Sequence, residues 1–200
     1  GLAVFFLARI LGALYFINNI ADEELVAKCR RSIYGNTALF LIFFLAFVIR
    51  TLLADGYAVN PDTKEVYMEP YKYLTNFLEM PVVLGIFLLG VVLVLFGILR
   101  TLLKKGFDKG IWFAGIGTIL TVLALLLTAG YNNTAYYPSF TDIQSSLTLS
   151  NSCSSQFTLK TMAYVSILVP FVIAYIFYAW RSIDKKKIDA EEMDEGGHAY

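Results

Sequence analysis

The sequence predicts an all-α membrane protein, a polytopic transmembrane helical bundle with five spans. Hydrophobic residues occupy 58% of the 200 positions and charged residues 16%, whereas a soluble domain is about 45–50% apolar. The apolar stretches are continuous and do not alternate with polar residues. Only helices and closed barrels satisfy the backbone in lipid, and the strands of a barrel alternate. The spans are therefore expected to be helices.

Five apolar runs approach the roughly 20 residues that cross a bilayer. They are residues 1–17, 36–53, 81–99, 111–131 and 162–180. We expect a four-helix bundle and one further helix, followed by a charged cytoplasmic tail at 182–200. That tail has no aromatic residue before Tyr200, a composition that predicts disorder.

The first run contains the most unusual ionisable residue, Arg9. The run has no initiator Met, basic leader or small-residue cleavage site, so it is not a signal peptide, and we expect a fragment of a longer protein. Arg9 lies near the middle of the span, where a charge costs at least about 2.5–3.5 kcal/mol. It either binds an acidic or anionic cofactor group, or snorkels and pairs structurally. Arg9 is thus the candidate cofactor-binding residue, whereas Arg50 and Glu79 at span ends anchor the interface.

The third and fourth spans carry small residues. Gly85, Gly90 and Gly97 in the third span are packing or lipid-facing positions. Small and hydroxylated residues let membrane helices approach closely, and they recur at helical spacing on one face of the fourth span. This stripe, which predicts a packing face, consists of Ala114, Thr118, Thr121, Leu125 and Thr128.

Residues 130–170 lead into the fifth span and predict a folded cap at the membrane surface. This stretch is rich in Ser, Thr and Asn, and its only charges are Asp142 and Lys160. Disordered segments have few aromatics and high net charge, whereas this one holds Tyr131, Tyr136, Tyr137, Phe140 and Phe157.

Two further features mark the fifth span itself. Ser154, Ser155 and Thr158 precede its apolar run, where helix N-caps belong. Pro170 lies within the run, removes one backbone hydrogen bond and should bend the helix.

Basic residues predict the orientation, because Lys and Arg are enriched in cytoplasmic loops. The second and fourth connectors hold only Lys64, Lys72 and Lys160. Eleven basic residues fall in the first connector, the third connector and the tail: Lys28, Arg30, Arg31, Arg100, Lys104, Lys105, Lys109, Arg181, Lys185, Lys186 and Lys187. The first residue is therefore expected outside and the C-terminus in the cytoplasm, with Trp112 and Trp180 at the inner interface. Cys29 and Cys153 fall in connectors on opposite faces and should not pair.

The chain lacks the side chains that most catalysis needs. Its sole histidine, His198, lies in the tail, so no span offers a haem or metal ligand. The serines of the fourth connector have no base to activate them and are expected to close turns. The acidic and tyrosine-rich connector 54–80 could be a docking surface or a proton exit, but a solvated loop with an aromatic belt is the simpler interpretation. We predict no catalytic residue and no metal site, and the zero net charge argues against nucleic acid.

The chain resembles the C-terminal half of subunit II of cytochrome bd-type quinol oxidases, because several short runs of residues occur in the same order. The resemblance rests on the GALYF run at 12–16 and the basic KCRR at 28–31, and then on a series further along. That series is Gly130, Pro138, Ser146-Leu147-Thr148, Ser154-Ser155, Thr158-Leu159, Met162 and Val169-Pro170.

The resemblance implies a bacterial inner-membrane heterodimer that oxidises quinol and reduces dioxygen to water. It implies that subunit I, the partner, holds two b-type haems and one d-type haem, while this subunit binds none and supplies scaffold and channel-lining surface. Membrane lipid is a further partner, and a quinone or lipid within this subunit is compatible with it. A secondary transporter, with Arg9 marking a substrate site, is the alternative, and a pure assembly subunit is the third interpretation.

Overall fold

The computed structural model describes residues 1–183. Its helices are α1 (Leu2–Asn19), α2 (Glu23–Leu53), α3 (Lys72–Glu79), α4 (Pro81–Leu103), α5 (Gly110–Gly130), α6 (Gln156–Ser166) and α7 (Val169–Ile183), with a short 3₁₀ turn at Ile143–Ser145. An antiparallel hairpin of β1 (Gly56–Val59) and β2 (Val66–Glu69) lies between α2 and α3.

Five helical segments of the described chain are long and apolar enough to cross a membrane, as predicted. They are α1, α2, α4, α5 and the stretch Gln156–Ile183, which comprises α6 and α7. The first four pack together, with α4 against α5, α1 against α2, and cross-contacts from α1 to α5 and from α2 to α4. No residue of α6 or α7 is buried, and the rings of Tyr15 and Trp180, 6.3 Å apart, join α7 to α1. The predicted four-helix bundle with a further helix is confirmed.

The second helix begins earlier than predicted. Residues 18–35 were expected to be a connector, but α2 starts at Glu23 and the loop is reduced to Ile20–Asp22. Asp22 caps the helix by accepting a hydrogen bond from Leu25 N at 2.7 Å, and Glu23 and Glu24 suit the positive end of the dipole. Cys29 therefore lies buried within α2 and not in a connector.

The fifth span also departs from its predicted ends. It begins at Gln156, because the Ser155 hydroxyl accepts from Thr158 N. The helix is interrupted at Ile167 and Leu168, and Pro170, where the sequence predicts a bend, is the second residue of α7. Residues 182 and 183, assigned to the tail from sequence, continue α7. The rest of that predicted tail, with His198, lies outside the described residues.

Small residues let α4 and α5 approach until their backbones touch. A Cβ added at Gly90 would lie 2.8 Å from Gly117 O, and one added at Gly97 would lie 2.6 Å from Gly110 O. These glycines are seven residues apart on each helix, the spacing of a left-handed helix pair. The threonines of the seam donate to their own helices, as Thr121 does to Gly117 O at 2.8 Å, so close packing leaves no hydroxyl unsatisfied there.

The connectors meet in pairs at opposite ends of the bundle. Residues 54–80 and 131–155 fold together and form what we call the cap. At the other end, which we call the basic end, the start of α2 contacts the loop between α4 and α5 through Arg30. This pairing is the one expected for connectors that alternate between two membrane faces.

Candidate functional site

Arg9 lies on an exposed face of α1. Its guanidinium stands 5.8 Å from the centroid of the Phe5 ring, one turn earlier in the same helix. Within residues 1–183 no carboxylate forms an ion pair with it. The structure therefore leaves its charge unneutralised by the described part of the chain.

Arg9 lies closer to the basic end than its position in the predicted span indicates. Leu14 packs where α5 begins, since a Cβ added at Gly110 would be 3.1 Å from Leu14 Cδ2. Arg9 is five residues from Leu14, about 7.5 Å along the helix. The last turn of α1 extends beyond the start of α5. Arg9 is therefore only about one and a half helical turns from the level at which α5 begins.

A groove of about 400 Å³ opens beside Arg9 between α1 and α2. We call it the α1–α2 groove, and its lining consists of Arg9, Gly12, Ala13, Phe16, Lys28, Cys29 and Ser32. The groove contains two cations and a hydroxyl beside an apolar floor, and none of the residues that line it within 1–183 is acidic.

Arg30 links α2 to the end of α4 and the following loop at the basic end. Its guanidinium donates to the carbonyls of Thr101, Lys104 and Phe107. These carbonyls lie in or just beyond the last turn of α4, where a cation complements the negative end of the helix dipole. Arg30 thereby fastens α2 to the α4–α5 loop.

A second cavity, about 510 Å³, lies between α1, α2, α4 and α5. Side chains such as Phe40, Phe44, Val94 and Leu125 line it. Thr118 and Thr121 also face it, but the Thr118 hydroxyl donates to Ala114 O at 2.7 Å, as Thr121 does within its own helix. The lining therefore offers hydrocarbon contacts and no free hydroxyl proton.

The predicted cap is folded, and its serines close turns as expected. Buried Ser146 accepts from Ser139 N at 3.0 Å, and Ser152 donates to Thr148 O at 2.6 Å. Residues 133–135 add to the free edge of β1, with Val59 N donating to Asn133 O at 2.7 Å. Connector 54–80 is more ordered than the expected loop, because it forms the hairpin and α3.

Amide side chains, which the sequence analysis missed, hold the cap together. Fully buried Asn76 on α3 donates to Thr128 O and to Thr134 Oγ1, both at 2.8 Å. The side-chain amide of Gln144 forms two hydrogen bonds with the backbone of Val66, as a neighbouring β-strand would. It accepts from the Val66 N–H at 2.9 Å and donates to the Val66 carbonyl at 2.8 Å. Isolated Asn and Gln residues give no periodic signal, so only the fold reveals these pairings.

Charged and phenolic groups of the cap are also enclosed. The Lys72 ammonium is buried and lies 3.2 Å from Glu69. Burial raises the pKa of the Tyr73 phenol, and nearby Tyr57 adds to the shift. Tyr73 is thus neutral at physiological pH and contributes no charge to this surface.

No cluster of three or more His, Cys, Asp or Glu side chains suited to a metal exists among residues 1–183. The two cysteines are free, with Cys29 buried and Cys153 exposed. The described part of the chain therefore presents an unpaired cation, an apolar cavity and a folded cap as its functional features.

Comparison with known proteins identifies the setting of these features. The family model for cytochrome bd terminal oxidase subunit II matches residues 1–183. The chain belongs to that family. The resemblance noted from sequence is thus confirmed, and the chain is a multi-pass membrane protein.

Relatives of this family include cytochrome bd-I ubiquinol oxidase subunit 2 from Escherichia coli K12, 33% identical over 156 residues. The same protein from strains O6:H1 and O157:H7 matches equally. The match covers 76% of this chain and 39% of each relative. The chain thus spans about two fifths of the length of the relatives it matches.

Proposed function

We propose that this chain is part of the non-haem subunit of a terminal quinol oxidase in a bacterial inner membrane. The complex would oxidise quinol and reduce dioxygen to water, with the haems in a partner subunit. The family match across residues 1–183 carries this proposal, and the relatives are named as subunits of a ubiquinol oxidase. The absence of histidine from all five spans agrees with haem ligation elsewhere.

In this proposal the chain supplies structure and not reacting groups. The α4 and α5 helices pack in backbone contact, the cap covers one end of the bundle, and Arg30 links the elements at the other end. Lys and Arg are enriched in cytoplasmic loops, which supports a cytoplasmic position for the Arg30 end and an outer position for the cap.

The 510 Å³ cavity is suited to a hydrocarbon chain, either a lipid acyl tail or the tail of a quinone. Its two threonines already donate to their own helix, so a quinone ring would find no hydroxyl donor there. Apolar lining without free donors favours a tail over a polar headgroup.

A secondary transporter is the second candidate. Arg9, which has no ion-pair partner within residues 1–183, and the interruption of the fifth span at Ile167 favour it, because intramembrane charges and broken helices mark substrate sites.

One purification separates the two candidates. The full-length protein is isolated with its natural partners, and a reduced-minus-oxidised spectrum and quinol-dependent oxygen uptake are recorded. The oxidase proposal expects a haem-bearing partner and quinol-dependent uptake. If no haem protein accompanies the chain and vesicles accumulate a solute instead, the oxidase proposal is wrong.

A further inference from the structure

We propose that the α1–α2 groove binds the phosphate of an anionic phospholipid, with Arg9 as the principal cation. Arg9 is exposed on a membrane helix, and residues 1–183 give it no ion-pair partner. A guanidinium cannot lose its proton in a protein. An anion near Arg9 would therefore offset the cost of holding its charge at this depth.

The position of Arg9 suits a lipid headgroup. The residue lies about 7.5 Å deeper than Leu14, which packs at the start of α5. We take the start of α5 as the polar boundary of the bilayer, because an apolar span begins there. A long arginine side chain can extend toward lipid phosphates at that level while its stem stays among apolar groups. The Phe5 ring, 54% exposed, lies on the deeper side of the guanidinium, where hydrocarbon is expected.

Two further groups in the groove could bind the same phosphate. Lys28 also lines it; its ammonium is 2.7 Å from Glu24 in a solvated pair, which leaves two of its three protons free. The Ser32 hydroxyl accepts from Asn36 at 3.0 Å and retains its own proton for donation. Arginine and lysine together hold phosphate by charge-assisted hydrogen bonds.

The floor of the groove favours a lipid over a free phosphate ion. Gly12 has nothing within 4 Å of an added Cβ, so the groove is open beside α1 at this level. Exposed Phe16 and buried Ala13 border it. An acyl chain would cover these apolar groups, whereas an inorganic ion would leave them uncovered.

The experiment measures lipid retention by the full-length protein in its natural complex. The complex is delipidated and titrated with phosphatidylglycerol or with phosphatidylcholine, and bound lipid is counted by native mass spectrometry. Wild type should bind phosphatidylglycerol in preference to phosphatidylcholine. Arg9→Gln should lower phosphatidylglycerol binding about tenfold, since a charge-assisted contact is lost, and Lys28→Gln should lower it less.

Two variants make the test specific. Arg31→Gln removes an exposed charge at the same end that does not line the groove, and it should bind as wild type does. Gly12→Phe adds a ring to the groove at a position where an added Cβ meets nothing within 4 Å. It should reduce binding with both cations in place, which also tests the proposal if Arg9→Gln does not fold.

Three results would overturn the proposal. The first is undiminished phosphatidylglycerol binding by Arg9→Gln or, where that variant does not fold, by Gly12→Phe. The second is dissociation of the subunits in Arg9→Gln, which would indicate that the anion paired with Arg9 belongs to a partner protein and not to a lipid. The third is displacement of the lipid by millimolar inorganic phosphate, which would make the site one for a free anion.

Discussion

Replacing Gly117 with alanine should force α4 and α5 apart. An added Cβ would lie 2.6 Å from Gly90 O, 2.6 Å from Val94 N and 2.9 Å from Leu93 Cβ. Two of these are backbone atoms held by helical hydrogen bonds, so no side-chain rotation relieves the clash. Ordinary contact begins at 3.4 Å, and the helices must therefore separate by roughly 0.8 Å.

The expected cost follows from two opposing effects. Overpacking of this kind destabilises by about 1–3 kcal/mol. Alanine is favoured over glycine in a helix by roughly 0.5–1 kcal/mol, which offsets part of that cost. The net loss should be on the order of 1–2 kcal/mol in the free energy of unfolding.

The assay compares matched glycines of the same helix. Gly115 in α5 has nothing within 4 Å of an added Cβ, so Gly115→Ala should be neutral or slightly stabilising. Unfolding of each variant of the full-length complex is followed in SDS by loss of helical circular dichroism. Equal midpoints for Gly117→Ala and Gly115→Ala would refute the inference that these backbones are in contact.

Three other substitutions test the contacts between connectors. Arg30→Gln should destabilise the α4–α5 loop by about 1.5–3 kcal/mol, because a charged donor to carbonyls is lost, and limited proteolysis should cleave that loop faster than in Arg31→Gln. Asn76→Leu should lower the free energy of unfolding by about 1–3 kcal/mol for each buried acceptor left unpaired. The measurement is the thermal midpoint of the complex, which should fall; an unchanged midpoint would mean that water replaces the amide. Gln144→Ala should speed hydrogen exchange at the Val66 amide severalfold, because that amide loses its acceptor, and unaltered exchange would contradict the pairing.

The sequence predicted the number and character of the spans well, because apolar length is a direct physical requirement of the bilayer. It failed where helices continue into polar surroundings. The KCRR run at 28–31 was assigned to a connector on its charge, but the Asp22 cap and the Glu24–Lys28 pair keep it helical. Helix ends depend on such local contacts, and hydropathy does not report them.

The candidate site was predictable only in part. Arg9 stands out in the sequence because charges in spans are rare, but its depth depends on where α5 begins relative to Leu14. The groove that it shares with Ser32 depends on the register of two helices, and apolar patterning does not fix that register. The roles of Asn76 and Gln144 could not be predicted either, because their hydrogen-bond partners lie 52 and 78 residues away in the sequence.

The cap also bears on the order in which the chain can assemble. Its hydrogen bonds join Val66 to Gln144 and Asn76 to Thr134, residues that flank the whole α4–α5 hairpin. These partners can meet only after both helices have crossed the bilayer and the two connectors lie on the same face of the membrane. If one of the two helices were not inserted, the two connectors would lie on opposite sides of the membrane and these hydrogen bonds could not form. Closure of the cap is therefore a late event in biogenesis, and it reports that the hairpin has reached its correct topology.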